Sequence, residues 1–412
     1  MKQVNKIVNL LGNKKLIYSS RPLTNLKKNK VRVKIKAVGV CASDVPRAFN
    51  NGAYNYPLVM GHEISGTIFK SNSNKFKKNQ KVSIFPMIPC QKCEYCKLKK
   101  FNVCKSYSYY GSRQDGGFAE FIDVNPWNVV KLPNSFSFND SFAMEPSAVA
   151  LNTVNKTFDL NPGKKKILVV GSGFIGLLIT KIIEIKFKNS DISLTDRNRH
   201  KLNLSSKNIK KHLYNKKTIK NFINKFDYII DTTGNKKVLN QILKFSKNHG
   251  VVSLMGNIGS EVTFDKQSIN SILRKELKIL GIWNSNFKNF HQDDWSDVIK
   301  LMKKGLRPSD YISHIINLKS LPDYLAETTN KLVINRQRPV GIRVTEVTLK
   351  KRAKKWLSTE RTASGNQPRD YEEILGNTLT TAVSEKLGIG MQPFIATKSI
   401  MNVTLGMTGK SA

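Results

Sequence analysis

Long hydrophobic runs are missing from this 412-residue chain. No stretch approaches the roughly 18 consecutive apolar residues that a membrane-spanning helix needs. The opening Met1-Lys2-Gln3-Val4-Asn5-Lys6 leads into no apolar segment of signal-peptide length. The expectation is a soluble cytoplasmic protein with no membrane partner. Acidic residues are also few, 29 Asp and Glu against 69 Lys and Arg, a net charge of +40. A balance of that size raises nucleic acid as a partner. The distribution argues against it: lysines are scattered among Asn and Ile, as in Lys27-Lys28-Asn29-Lys30 and Lys216-Lys217-Thr218-Ile219-Lys220, with no separate arm and no aromatic-studded arginine cluster. We read them as a solvated lysine coat whose field concentrates anionic substrates near the surface.

Cysteine is scarce, five residues in all, and four of them lie close together. Cys90, Cys93, Cys96 and Cys104 are spaced Cys-x-x-Cys-x-x-Cys, then seven residues, then Cys. Neighbours so close make poor disulfide staples for a large fold, whereas four thiolates match the closed tetrahedral shell of a structural zinc. Cys41 is left over.

What is present supports a globular chain. A hydrophobic content of 40% suffices at this length for a sizeable core, and the length fits two to three domains. Between Val31 and about Asp123, short alternating runs broken by Gly, Pro and Asn predict a β-rich domain: Val31-Arg32-Val33-Lys34-Ile35, Ile64-Ser65-Gly66-Thr67-Ile68, Lys81-Val82-Ser83-Ile84-Phe85 and Phe118-Ala119-Glu120-Phe121-Ile122. The cysteine cluster sits within it as a lobe at about 86–106. At Lys164 the pattern changes to alternating strands and helices. Ile167-Leu168-Val169-Val170 is wholly apolar, as a strand buried on both faces of a parallel sheet should be. Ile192-Ser193-Leu194-Thr195-Asp196, Tyr228-Ile229-Ile230-Asp231, Val251-Val252-Ser253-Leu254-Met255 and Leu277-Lys278-Ile279-Leu280 continue the series. We therefore expect an α/β protein: a β-rich domain over 1–155, a doubly wound parallel-sheet domain over 156–288, and a return to the first domain over 289–344. A helix is expected around 295–303. Residues 345–412 differ in composition and read as an appendage, with a possible helix at 370–387.

Gly171-Ser172-Gly173-Phe174-Ile175-Gly176 follows the buried strand directly and opens a helix, which makes this glycine pattern a dinucleotide-binding turn. Gly171 permits the turn, Gly173 lets the backbone approach a pyrophosphate, and Gly176 lets the helix pack on the strand. Asp196 ends the next strand, where it would accept from ribose hydroxyls and repel a 2′-phosphate, so NAD is expected over NADP. A second constellation joins Cys41-Ala42-Ser43-Asp44, Gly61-His62-Glu63 and Glu145-Pro146. Thiolate, imidazole and carboxylate are competent zinc ligands, and three of them leave a fourth position for substrate, as catalytic zinc requires.

These motifs, together with Pro46-Arg47, Asn51-Gly52-Ala53, Tyr56-Pro57, Gly111-Ser112-Arg113, Asp115-Gly116-Gly117-Phe118-Ala119-Glu120 and Ile272-Leu273-Arg274-Lys275-Glu276-Leu277, occur in order over residues 31–344. The chain resembles the zinc-dependent medium-chain dehydrogenases. The resemblance implies a GroES-like catalytic domain, a Rossmann cofactor domain, and two zincs, one structural and one catalytic. It implies catalytic zinc at Cys41, His62 and Glu145, with Glu63 beside the metal or exchanging as a ligand. It gives Ser43 the relay of the substrate hydroxyl proton to solvent, and Asp44 the orientation of His62. The matches around Pro46–Pro57 and Gly111–Glu120 point to a polyol phosphate, galactitol 1-phosphate oxidised to tagatose 6-phosphate with NAD reduced. Arg47 and Arg113 are the candidates for its phosphate, or each pairs with a local carboxylate. Free sorbitol or another polyol, L-threonine, and a basic binding protein that has lost activity are the alternatives. The family also implies a homo-oligomer, paired near Leu277–Leu280. Asn72 and Asn79 stand where the family has glycine, Asn152 stands for a histidine, and the ending after Gly341 departs from the family, which would weaken the first domain if it displaced the closing strand.

Overall fold

The segment Val31–Gly39 buries nearly every side chain and forms the strand from which the first half of the molecule is built. In the computed structural model, residues 3–50, 52–158, 164–289, 292–327 and 342–345 are described. One edge of Val31–Gly39 pairs antiparallel with Glu63–Ser71. The other is shared: Phe121–Val124 lies opposite residues 31–34, and Ile342–Thr345 lies opposite residues 37–39. Lys81–Ile84 and Val129–Lys131 extend the sheet beyond Glu63–Ser71, and His314–Asn317 extends it beyond Ile342–Thr345. Val33, Ile64, Val82, Phe118 and Val344 fill the core on this sheet. The closing strand is therefore formed, with Val344 buried beside Val38, so the unusual ending does not displace it. The appendage, with the helix expected at 370–387, lies outside the described residues beyond Thr345.

A hairpin that the sequence pattern did not signal, Val4–Gly12 with Lys15–Pro22, adds a smaller sheet with Leu58–Val59. Of the two asparagines at glycine positions, Asn79 takes the left-handed backbone, with φ of 65°. Asn72 does not; it stays in ordinary backbone and its side-chain amide donates to the carbonyl of Lys27 at 3.2 Å.

The second half is a six-stranded parallel sheet in the order Lys210–Leu213, Asp191–Asp196, Lys166–Val170, Phe226–Asp231, Ser246–Leu254, Lys278–Gly281. The apolar run Ile167–Val170 lies at its centre, fully buried, and leads straight into the helix Phe174–Lys186. Lys210–Leu213 was not expected: with two lysines and a histidine among its four residues it has no apolar run, and only its position at the sheet edge lets it form. The helix Met144–Thr157 packs against Phe174–Lys186 and against Asp294–Lys303, joining the two sheets through one continuous apolar core. Among the described residues no helix is long and apolar enough to cross a membrane.

Candidate functional site

Strand register creates the first donor cluster. Glu63 begins its strand directly opposite Gly39, the last residue of Val31–Gly39. Cys41 follows two residues later, and His62 immediately precedes Glu63. As a result the ligand atoms of Cys41, His62 and Glu63 all lie within 4.8 Å of one another. A Cβ at Gly39 would fall on Oε2 of Glu63, so the glycine makes the space that this carboxylate occupies. Glu145, in the first turn of Met144–Thr157, is buried nearby, and its Oε1 accepts from the hydroxyl of Tyr109 at 3.1 Å. Tyr109 in turn stands edge-on to the His62 ring at 5.7 Å. The three-donor cluster thus contains Glu63, with Glu145 held beside it by Tyr109, a residue whose part nothing in the Tyr107-Ser108-Tyr109-Tyr110 run singled out.

Asp44 is fully buried at the start of the helix Asp44–Phe49. Its Oδ2 accepts from the Cys41 amide at 3.0 Å, and its Oδ1 lies 3.6 Å from Nδ1 of His62. That ring nitrogen is buried without a hydrogen-bond partner among the described residues. Ser43 caps the same helix with its backbone only; its side chain accepts no cap hydrogen bond. Burial works against a charged His62, but Asp44 and then Cys41 outweigh it and raise its pKa well above the usual value. Burial, reinforced by Cys41, pushes Glu63 well up, and burial raises Glu145 as well. Carboxyls, a thiol and an imidazole crowded out of water suit a divalent cation, and a sulfur–nitrogen–oxygen set suits zinc.

The four remaining cysteines also converge. Their sulfurs lie within 4.8 Å of one another, with Cys90 to Cys96 and Cys93 to Cys104 both at 3.9 Å. A zinc–sulfur bond of about 2.3 Å implies a tetrahedral edge of about 3.8 Å, so the spacing fits zinc. The backbone N–H groups of Cys96 and Lys105 hold the Cys93 thiol down to about 6, whereas burial pushes Cys96 up to about 12. None of the five cysteines is in a disulfide.

At the end of Lys166–Val170, Gly171 turns with φ of 100°, and a Cβ there would meet Oγ1 of Thr232 at 2.5 Å. A Cβ at Gly176 would fall on the Gly171 carbonyl oxygen, whereas one at Gly173 would meet nothing within 4 Å. Gly173 is the N-cap of Phe174–Lys186, so helix N–H groups face an open cradle of the kind a diphosphate fills. Asp196 ends its strand and accepts from the amides of Ser172 and Asn198, both at 2.8 Å.

The two arginines diverge. Arg47 donates to Oδ1 of Asp44 at 3.1 Å, three residues back on the helix. Arg113 instead lies over the rings of Tyr54 and Tyr107, 4.2 and 4.3 Å from their centroids. Asn152 donates to the carbonyl of Asn284 at 2.6 Å, which gives it a packing role where the family has histidine.

The family model for the alcohol dehydrogenase GroES-like domain matches residues 27–134, and that for zinc-binding dehydrogenase matches 175–304, together more than half of the chain. The chain is 29% identical over 295 residues to galactitol 1-phosphate 5-dehydrogenase of Escherichia coli (strain K12), covering 68% of this chain and 84% of that one. The crystal structure of galactitol-1-phosphate dehydrogenase from Escherichia coli superimposes with a TM-score of 0.73 at 25% identity, covering 82% of this chain and 99% of the other. A short chain alcohol dehydrogenase (rspB) from E. coli CFT073, complexed with cofactor NADH, shares the fold at TM-score 0.71 and 22% identity, covering 83% and 99%.

Proposed function

The chain belongs to the zinc-type medium-chain dehydrogenases, oxidoreductases of alcohols and polyols, and from that premise we propose that it oxidises galactitol 1-phosphate to tagatose 6-phosphate with NAD as hydride acceptor. The observation that carries this reading is the convergence of Cys41, His62 and Glu63 across the register of two paired strands. Cys41 and His62 hold the catalytic metal with Glu145, and Glu63 stands close enough to exchange with Glu145 as ligand. Cys90, Cys93, Cys96 and Cys104 hold the structural one. Bound zinc supplies Lewis acidity toward the substrate hydroxyl, and NAD accepts the hydride.

The chain's own residues do the rest. Asp44 fixes the loop through the Cys41 amide and faces His62, so it sets the orientation of that imidazole. Tyr109 holds Glu145 in place. The hydroxyl of Ser43, free of capping, relays the substrate proton to solvent. Gly171, Gly173 and Gly176 shape the diphosphate cradle, and Asp196 keeps acceptor capacity for the ribose hydroxyls and repels a 2′-phosphate. Arg47 shares its charge with Asp44, which leaves Arg113 as the stronger candidate for the substrate phosphate. The same reading includes a homo-oligomer formed through the outer edge of Lys278–Gly281, the last strand of its sheet, and a cytoplasmic location in keeping with five unpaired thiols.

The test is NAD reduction by the zinc-loaded protein with galactitol 1-phosphate and, in parallel, galactitol. Turnover confined to the phosphate ester is the expected result. Equal turnover of both would leave a polyol dehydrogenase without phosphate recognition, and turnover of neither would sink the substrate reading.

A further inference from the structure

Arg113 belongs to a loop that is fastened beside the donor cluster. Its amide donates to the carbonyl of Tyr109 at 2.9 Å, and the amide of Gly117 donates to the carbonyl of Gly61, next to His62, at 2.7 Å. Gly111 and Gly116 both press on Gly61 so closely that a Cβ at either would collide with its carbonyl oxygen. From the guanidinium, a run of ring contacts leads inward: 4.3 Å to Tyr107, 6.4 Å from Tyr107 to Tyr109, and 5.7 Å from Tyr109 to His62. Tyr54, which supplies the second ring over Arg113, is 70% exposed. Among the described residues, the Arg113 guanidinium has neither a carboxylate nor a hydrogen-bonding partner, although this loop also contains Asp115, which pairs with Arg21 at 2.8 Å.

We propose that Tyr54 and Tyr107 are specificity-determining residues: together they clamp the Arg113 guanidinium so that its free N–H groups, confined to their own plane, read the terminal phosphate of the substrate. The inference rests on the polyol-phosphate reading above. A guanidinium that lies over a ring keeps its edge open, the part that forks onto phosphate oxygens. A lysine coat attracts anions without selecting among them; a fixed planar fork held beside the donor cluster selects a phosphate at one end of the polyol.

The test uses the zinc-loaded full chain and its variants Tyr54→Ala, Tyr54→Phe, Tyr107→Ala and Tyr107→Phe. It reads the ratio of kcat/KM for galactitol 1-phosphate to that for galactitol, and the calorimetric affinity for galactitol 1-phosphate. Each alanine variant is expected to lose about tenfold in that ratio, the worth of one hydrogen bond to a charged group, through KM and not kcat. Each phenylalanine variant, which keeps the ring, is expected to hold the ratio. A wild-type ratio near one removes the polyol-phosphate reading, and the clamp with it. A wild type that prefers the phosphate ester, with alanine variants that keep this preference, overturns the clamp alone. If the alanine variants do not fold, Arg113→Lys decides: it keeps the charge and loses the fork, and an undiminished preference there overturns the proposal.

Discussion

Gly39 illustrates how a single residue controls this site. Its missing side chain is the space in which the Glu63 carboxylate sits, within reach of Cys41 and His62. Gly39→Ala is therefore expected to displace Glu63, the ligand that exchanges with Glu145, and to weaken zinc retention at this cluster while sparing the four-cysteine lobe, which lies on a separate segment. Zinc content of the purified variant after dialysis checks this, and retention of both metals would show that Glu63 moves aside harmlessly. The residues gathered into the two donor clusters were legible in part: Cys41, His62 and the four clustered cysteines are rare residue types in informative spacings, whereas Glu63 and Glu145 were named only beside them. Gly39 was not legible, since its importance comes from what lies across the strand pair. Arg47 shows the same limit: Asp44 stands three residues earlier in plain view, yet only the helix shows that it takes the guanidinium.

At the scale of elements, the central strand of the parallel sheet and its turn could be read almost to the residue, whereas the run Phe118–Ile122 forms its strand at Phe121–Val124. Ile167–Val170 and the glycine turn after it stand where an apolar run and a φ-permissive residue require them. The edge strand Lys210–Leu213 and the hairpin Val4–Gly12 with Lys15–Pro22 could not be read, because exposed polar positions interrupt them as they do loops, whereas the opposite edge strand, Lys278–Gly281, could. Composition also serves the helices in a way that a count of lysines hides: Asn198, Asn215 and Asn235 each accept from amides at the N-terminus of a helix. Asp265 does the same for Lys266–Arg274 and also pairs with Lys244 at 2.9 Å. The Lys244 ammonium and the Ser268 amide hold its carboxyl down to about 2. A depressed folded-state value stabilises the fold above the ordinary carboxylate range and ceases to do so as pH falls through about 2. Asp265→Ala is thus expected to lower Tm by about 2 °C at neutral pH. The gap from wild type should be constant above pH of about 4 and close as the solution is acidified further. Melting curves across that range check it; a gap that widens on acidification would contradict the assignment.

On the scale of the whole molecule, a +40 charge is expected to act on encounter with an anionic substrate more than on the fold. For galactitol 1-phosphate, kcat/KM is expected to fall as ionic strength rises from about 10 mM to about 150 mM, where screening shortens the field to about 8 Å. For uncharged galactitol it should stay level, and parallel decline for both would move the salt effect away from substrate capture. The closing strand bears on a different matter, the order in which the chain is made. Ala37–Gly39 emerge early from the ribosome, but the strand that covers their edge, Ile342–Thr345, is translated after nearly all the rest of the described chain. Every strand of the parallel sheet is contiguous between Lys166 and Gly281, so that half can complete itself while the first sheet still waits with an open flank. During that interval the nascent chain exposes unpaired backbone, a template for sticking to its neighbours on the same messenger. Nascent-chain chaperones would be needed most in this window, and translation interrupted just short of Ile342 would release a chain whose cofactor half is finished and whose zinc half is not.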